Sequence, residues 1–248
     1  MMRLAATIGF WVALTLLTAI LGLLGMPALL FGEAASRRIT KLWTRLALQL
    51  LKLIVGIDHR IEYPENIPQG GAIVASNHQS MWETIALYAI LPRPVIVFKY
   101  ELSWIPVYGW FVLRTKNIPI NRKDGISAIR KLQRDAAERV ENGNQVIVFP
   151  EGTRLKPGVV ADYRAGVAGL YLAANADCAP VAHNSGEYWC HPELPKNPGT
   201  ITVRFLPPIA PGMRKQAFMT RLKNDIDGAR PDLNAMPAEQ NIGTPSND

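Results

Sequence analysis

The residues best suited to chemistry lie in Asn77-His78-Gln79-Ser80-Met81-Trp82-Glu83. The histidine side chain titrates near neutral pH, so His78 is the natural general base. A carboxylate beside it would hold the imidazole in one tautomer and stabilise its protonated form, and Glu83 follows in the same segment. On one ideal helix a His-x4-Glu spacing turns the two side chains apart. They meet if His78 stands on the turn before a helix and Glu83 lies one turn inside it. Taken alone, such a pair is more often a coincidence of surface residues. The chain has no Gly-x-Ser-x-Gly elbow. A base of this kind would therefore activate a hydroxyl carried by the substrate, with no nucleophile from the protein.

Three cations, Lys99, Arg122 and Arg154, are candidate ligands for a phosphate or carboxylate, arginine offering a fork of donors. Each by itself also fits ordinary surface charge. The block Glu151-Gly152-Thr153-Arg154 is more specific, since a glycine flanked by acid and base after an apolar run suits a backbone that approaches a ligand closely. The amides of Gly152 and Thr153 are candidate oxyanion donors.

These residues need elements to position them. Runs with strand character cover 60–63, 72–76, 95–98, 118–120, 146–149, 179–182 and 201–205, several of them continuously apolar as in strands buried on both faces. Helical patterns alternate with them. The clearest covers 125–142, with Asp124 as N-cap, a stripe of Ile126, Ile129, Leu132, Ala136 and Val140, and Gly143 at its end; another covers 165–175. The alternation predicts an α/β fold, a mixed and largely parallel sheet flanked by helices. In such sheets ligands bind beyond the carboxyl ends of the strands. His78, Lys99, Asn121-Arg122, Pro150–Arg154 and His183 all follow predicted strands, so they can converge on one crevice.

Residues 4–31 contain no charged side chain, and they exceed the roughly 20 residues that cross a hydrocarbon core. A cleaved signal peptide has a shorter apolar core. Pro27 should end or kink the first helix. A second helix follows, with Arg37, Arg38, Lys41, Arg45 and Lys52 beside Leu42, Leu46, Leu50, Leu53 and Ile54. It fits an anionic membrane surface or packing on the following domain. Positive charge after the span places the catalytic part on the cytoplasmic side, while Arg3 before it leaves a re-entrant hairpin open. The expected organisation is an N-terminal α-helical membrane anchor over 1–56, an α/β domain over 57–230, and a mobile Pro- and Asn-rich tail over 231–248.

Net charge is +7, which suits a membrane surface or nucleic acid. The bases cluster beside the apolar span and at strand ends, and no nucleic-acid motif is present, so nucleic acid is not an expected partner. Cys178 and Cys190 form no CxxC or His/Cys cluster, and no metal site is expected. Tyr100, Trp104, Tyr108 and Trp110 fit either a lipid-contacting or acyl-lining surface or ordinary core and turn packing.

In combination, Asn-His-x4-Glu, Ile118–Arg122, Phe149-Pro150-Glu151-Gly152-Thr153-Arg154, Tyr163–Gly166 and Ala179-Pro180-Val181-Ala182 resemble the glycerolipid acyltransferase family, notably bacterial 1-acyl-glycerol-3-phosphate acyltransferases, over roughly 58–210. The resemblance implies transfer of a fatty acyl group from an acyl-carrier-protein or coenzyme A thioester, without a further cofactor, to the sn-2 hydroxyl of lysophosphatidate at the bacterial inner membrane. Another lyso-lipid acceptor, or a non-catalytic lipid-binding protein of this fold, are the alternatives. It implies that His78 is the base, Glu83 its orienting partner, Lys99, Arg122 and Arg154 the phosphate ligands, and Glu151 the support of their loop. The chain departs from the family's usual pattern at Glu83 and Asn121, where Asp is more common.

Overall fold

In a computed structural model, the structure describes residues 1–121, 123, 125–190 and 194–234, the side chains of 233 and 234 excepted. Two long helices lead: α1 (Met2–Gly25) and α2 (Glu33–Val55). α1 gives way at Met26 to a 3₁₀ turn containing Pro27, as expected of a residue that cannot donate to a continuing helix. α2 begins after Gly32, at φ +96°, and stops at Gly56, whose left-handed φ of +80° lets its N–H close on the Lys52 carbonyl.

The α/β domain then runs β1 (Ile57–Glu62), β2 (Ala72–Ser76), α3 (Trp82–Ile90), β3 (Pro94–Lys99), α4 (Tyr108–Arg114), β4 (Ile118–Ile120), α5 (Gly125–Glu141), β5 (Gln145–Val148), α6 (Gly166–Ala174), β6 (Cys178–His183), α7 (Ser185–Tyr188), β7 (Gly199–Phe205), α8 (Lys215–Ala229) and α9 (Pro231–Asn234). The seven strands form one sheet in the order β1-β7-β6-β2-β5-β3-β4. All neighbours are parallel except β6 and β7. The carboxyl ends of β6, β2, β5, β3 and β4 therefore line one edge in that order, the crevice edge that the strand-end residues require.

Alternation along the central strands feeds two cores. Val74, Ile147, Ala179 and Val181 face α2 and α3, where Leu51, Ile85 and Leu87 meet them, with Phe10 and Leu14 of α1 in the same cluster. Ile73, Ala75, Val146 and Val148 face Ala136, Val140, Val167, Leu170, Phe218 and Ile226 of α5, α6 and α8.

Two expectations need correction, and a third resolves between its alternatives. α2 packs on the following domain: Thr44, Ala47, Leu51 and Val55 are buried, and buried Arg37 donates to the Pro94 carbonyl at 2.6 Å. Its apolar side is wider than one stripe, so Leu42 and Leu53 remain exposed while a different face packs. On α5 the proposed stripe fails in the first turn, where Ile126 and Ile129 are exposed and Ala128 is buried; Asp124 lies outside the described residues. The tail does not begin at 231, because α9 is folded and Asp232 is buried; residues 235–248 lie outside the described residues.

Leu51→Ala removes a fully buried side chain from the larger-helix core and should destabilise the protein by roughly 2–5 kcal/mol, whereas Leu53→Ala should stay within about 0.5 kcal/mol. Denaturant unfolding in detergent checks this, and equal small effects would show that α2 is not part of the domain.

Candidate active site

The turn between β2 and α3 carries the expected pair. His78 stands before the helix and Glu83 in its first turn, so the spacing that a single helix forbids becomes a contact: His78 Nδ1 lies 2.7 Å from Glu83 Oε1. Glu83 has no solvent exposure. The backbone N–H groups of Gln79 and Ser80 donate to Oε1 at 2.9 and 2.8 Å. The hydroxyls of Ser80 and Ser185 donate to Oε2 at 2.6 and 2.9 Å. The side chain reaches back from the first turn of α3 to amides of the turn that precedes the helix. Burial pushes the Glu83 carboxyl up, but the His78 hydrogen bond, the neighbouring histidines and the Ser80 hydroxyl outweigh it and hold the group well below the usual carboxylate range. An ionised acceptor at Nδ1 assigns the proton of neutral His78 to that nitrogen and leaves Nε2 as the base. The imidazole stacks on Phe149, with ring centres 4.0 Å apart.

The segment after β5 holds the same turn from the other side. Glu151 Oε2 accepts the His78 N–H at 2.8 Å, and the Leu155 N–H donates to the His78 carbonyl at 2.8 Å. Arg154 Nε donates to the Ser80 carbonyl at 3.0 Å. Glu151 thus has the backbone of His78 as its partner. Burial raises its carboxyl to about 7, against the His78 N–H and the charge of Arg230. Gly152 has φ +71°, a conformation costly for any side chain. Its N–H closes a turn onto the Phe149 carbonyl at 3.0 Å, so that amide is committed and does not serve as an oxyanion donor. Thr153 beside it is exposed.

The other candidates spread along the crevice edge. Lys99 ends β3, two strands from β2, which places its backbone roughly 10 Å from that of the His78 strand end; its side chain is exposed. Arg122 lies outside the described residues. Asn121 accepts the Lys123 N–H at 3.1 Å, a turn-forming role that needs no charge. His183 is buried with both ring nitrogens engaged, Nε2 with the Asn77 carbonyl at 2.8 Å and Nδ1 with the Ser185 N–H at 3.2 Å. Burial lowers its pKa despite Glu83, so it joins β2 to β6 rather than moving protons.

Ser185, Gln79 and Asp232 escaped the sequence reading. Their partners are far along the chain, and a lone serine or glutamine carries no signal of its own. The aromatic segment resolves toward a surface: Trp104 and Trp110 are 74% and 48% exposed. Beside it, Trp11, Leu14, Leu23, Ile105, Val107 and Tyr108 line an apolar groove of about 540 Å³ between α1 and the loop before α4. Among the described residues no cluster could hold a metal ion.

A family model described as Acyltransferase matches residues 58–184. The 1-acyl-sn-glycerol-3-phosphate acyltransferase of Pseudomonas aeruginosa is 34% identical over 171 residues, 69% of this chain and 66% of that protein. The human 1-acyl-sn-glycerol-3-phosphate acyltransferase alpha is 30% identical over 168 residues, 66% of this chain and 59% of that protein. The chain thus spans about two thirds or less of these two relatives. The crystal structure of the 1-acyl-sn-glycerophosphate (LPA) acyltransferase PlsC from Thermotoga maritima superposes with a TM-score of 0.79, at 20% identity, over 95% of this chain and 98% of that one.

Two predictions follow from the geometry. Glu83→Gln puts an amide where only acceptors fit, so kcat for the reaction that uses His78 should fall roughly 10²–10⁴-fold, checked by steady-state kinetics. Glu151 has a folded-state pKa of about 7 against an ordinary 4.5. The folded state therefore binds this proton in the window between those values, and stability rises as pH falls through it. Thermal melts at about pH 8 and pH 6 should show a gain on acidification that shrinks in Glu151→Gln; an equal gain in both would contradict the assignment.

Proposed function

This chain belongs to the acyltransferase family, and from that premise we propose that it moves a fatty acyl group from an acyl thioester to the sn-2 hydroxyl of 1-acyl-sn-glycerol-3-phosphate, making phosphatidate. The observation that carries the reading is the His78–Glu83 contact of 2.7 Å at the crevice edge. The names of the relatives supply the acceptor and its acyl chemistry.

The acceptor hydroxyl gives its proton to His78 Nε2 as its oxygen attacks the thioester carbonyl. Glu83 stays ionised and stabilises the imidazolium that results. The tetrahedral intermediate then expels the thiol sulfur, which takes the proton back from His78. The new ester bond replaces the thioester bond, with no acyl-enzyme on the way. Arg154, whose Nε holds Ser80, is proposed to bind the acceptor phosphate together with Lys99 and Arg122. The donor is the thioester of acyl-carrier protein or of coenzyme A, with no other cofactor.

The setting is a membrane, by our reading the bacterial inner membrane with the α/β domain on the cytoplasmic face. α1 with its 3₁₀ extension, Met2–Leu29, is long and apolar enough to cross a membrane by length and composition, and most of it is not buried against the protein. Both its ends nevertheless touch the domain. Arg3 bonds Asn197 at 3.1 Å and Phe10 packs on Trp189, while Gly22 and Gly25 lie against Val107 and Phe111. Contacts of this kind at both ends favour our reading of a hairpin seated in one leaflet. Exposed Trp104 and Trp110 continue that surface in the manner of interfacial aromatics.

Purified full-length protein in liposomes, assayed with both donor types against a panel of lyso-lipids, tests the proposal. Lysophosphatidate should be the preferred acceptor, and His78→Ala should lower kcat by roughly 10²–10⁴-fold. A much better lyso-lipid acceptor would sink the substrate assignment, and full turnover by folded His78→Ala would sink the mechanism.

A further inference from the structure

The C-terminal turn reaches the catalytic segment from a stretch that no motif marks and that the family match, ending at 184, does not include. Arg230 and Asp232 are 1% and 3% exposed. They form a two-point pair, Arg230 Nη2 to Asp232 Oδ2 at 2.7 Å and Nε to Oδ1 at 3.2 Å. The same Oδ2 accepts the Gln79 side-chain amide at 2.9 Å and the Gly158 N–H at 2.9 Å. Gln79 directly follows His78, and its own carbonyl oxygen accepts the Gly186 N–H at 3.0 Å. Arg230 Nη1 donates to the Val159 carbonyl at 3.0 Å. One carboxylate thus ties the turn bearing His78 to the loop after β5, and Gln79 ties both to the segment bearing Ser185, a partner of Glu83.

A buried ion pair is a poor device for stability alone, because desolvation offsets its attraction and apolar replacements of similar volume often do as well. What this pair supplies is direction. Its outward bonds run to Gln79, next to the dyad, and to Gly158 and Val159 in the loop after β5, with Asp227 of α8 also beside Arg230 at 3.9 Å.

We propose that Asp232, aligned by Arg230, is a positioning residue for acyl transfer: it fixes Gln79 and Gly158, and through them the backbone on which His78 stands. It touches no reacting atom. The inference rests on His78 being the base of the proposed reaction.

The test uses full-length protein in detergent, with Asp232→Asn and the paired replacement Arg230→Met/Asp232→Leu, which leaves no unpaired buried charge and so keeps a foldable variant in hand. Each is assayed below its own unfolding temperature for kcat, for KM of both substrates, and for hydrogen exchange of the Gln79 and Ser80 amides. In the folded variants kcat should fall about 10–100-fold, the cost of a small misplacement of a catalytic group, with KM changed by less than about threefold and faster exchange at both amides. A folded paired variant with wild-type kcat would overturn the proposal and make the pair merely structural. If the wild type fails to acylate lysophosphatidate, the proposed function fails separately. Amide exchange then decides for the strap: faster exchange upholds it as the element that holds this turn, and unchanged exchange overturns it.

Discussion

Glu83 is a charged carboxylate with no exposure to water, and its surroundings are arranged to replace that water. Two backbone amides, two serine hydroxyls and the imidazole take its lone pairs. An ion in such a place is tolerated only when its hydrogen bonds are nearly complete. The donors come from the β2–α3 turn and, through Ser185, from the end of β6. The parallel pairing of β2 with β6 sets those two strand ends side by side. The reciprocal bonds between Asn77 and His183, at 2.9 and 3.0 Å, lock them. Remove the sheet order and the carboxylate loses a donor; remove the carboxylate and the imidazole loses its orientation.

The rest of the site is a second grip on the same turn. β5 lies beside β2 on the side away from β6, so the Glu151–Leu155 stretch can reach the backbone of His78 from there. The two clamps are chemically different. One fixes the ring through a charge, and the other fixes the main chain through neutral geometry and a carboxyl near its titration point. α1 and α2 extend this plan outward, since their buried faces belong to the same core that backs β2 and β6. The apolar outer surface of α1 is therefore held in a set relation to the crevice.

Much of this was legible in the sequence because it is local. Continuous apolar runs marked β2 and β4 to the residue and the other strands within a few positions, since strands buried on both faces leave no alternation to misread. The strand-end argument placed His78, Lys99, Glu151 and His183 on one edge correctly. It did not distinguish a base from a structural histidine, because the partners of His183 are a main-chain carbonyl and a main-chain amide. Glu83 looked like a departure from an expected Asp. Its longer reach is matched here by amides of the turn before α3, which pattern alone does not show. Ser185 and Asp232 act over more than a hundred residues of chain, and α2 has apolar residues on so much of its circumference that its buried face was misassigned.

The central claim concerns one proton, the one between His78 and Glu83. Nitrogen-15 NMR of selectively histidine-labelled protein in detergent, assigned with a His78→Gln variant and recorded where the imidazole is neutral, reads its position directly. The account predicts that Nδ1 carries the hydrogen and shows a downfield, exchange-protected signal, while Nε2 is unprotonated. A His78 ring protonated at Nε2, with Nδ1 bare, would contradict it.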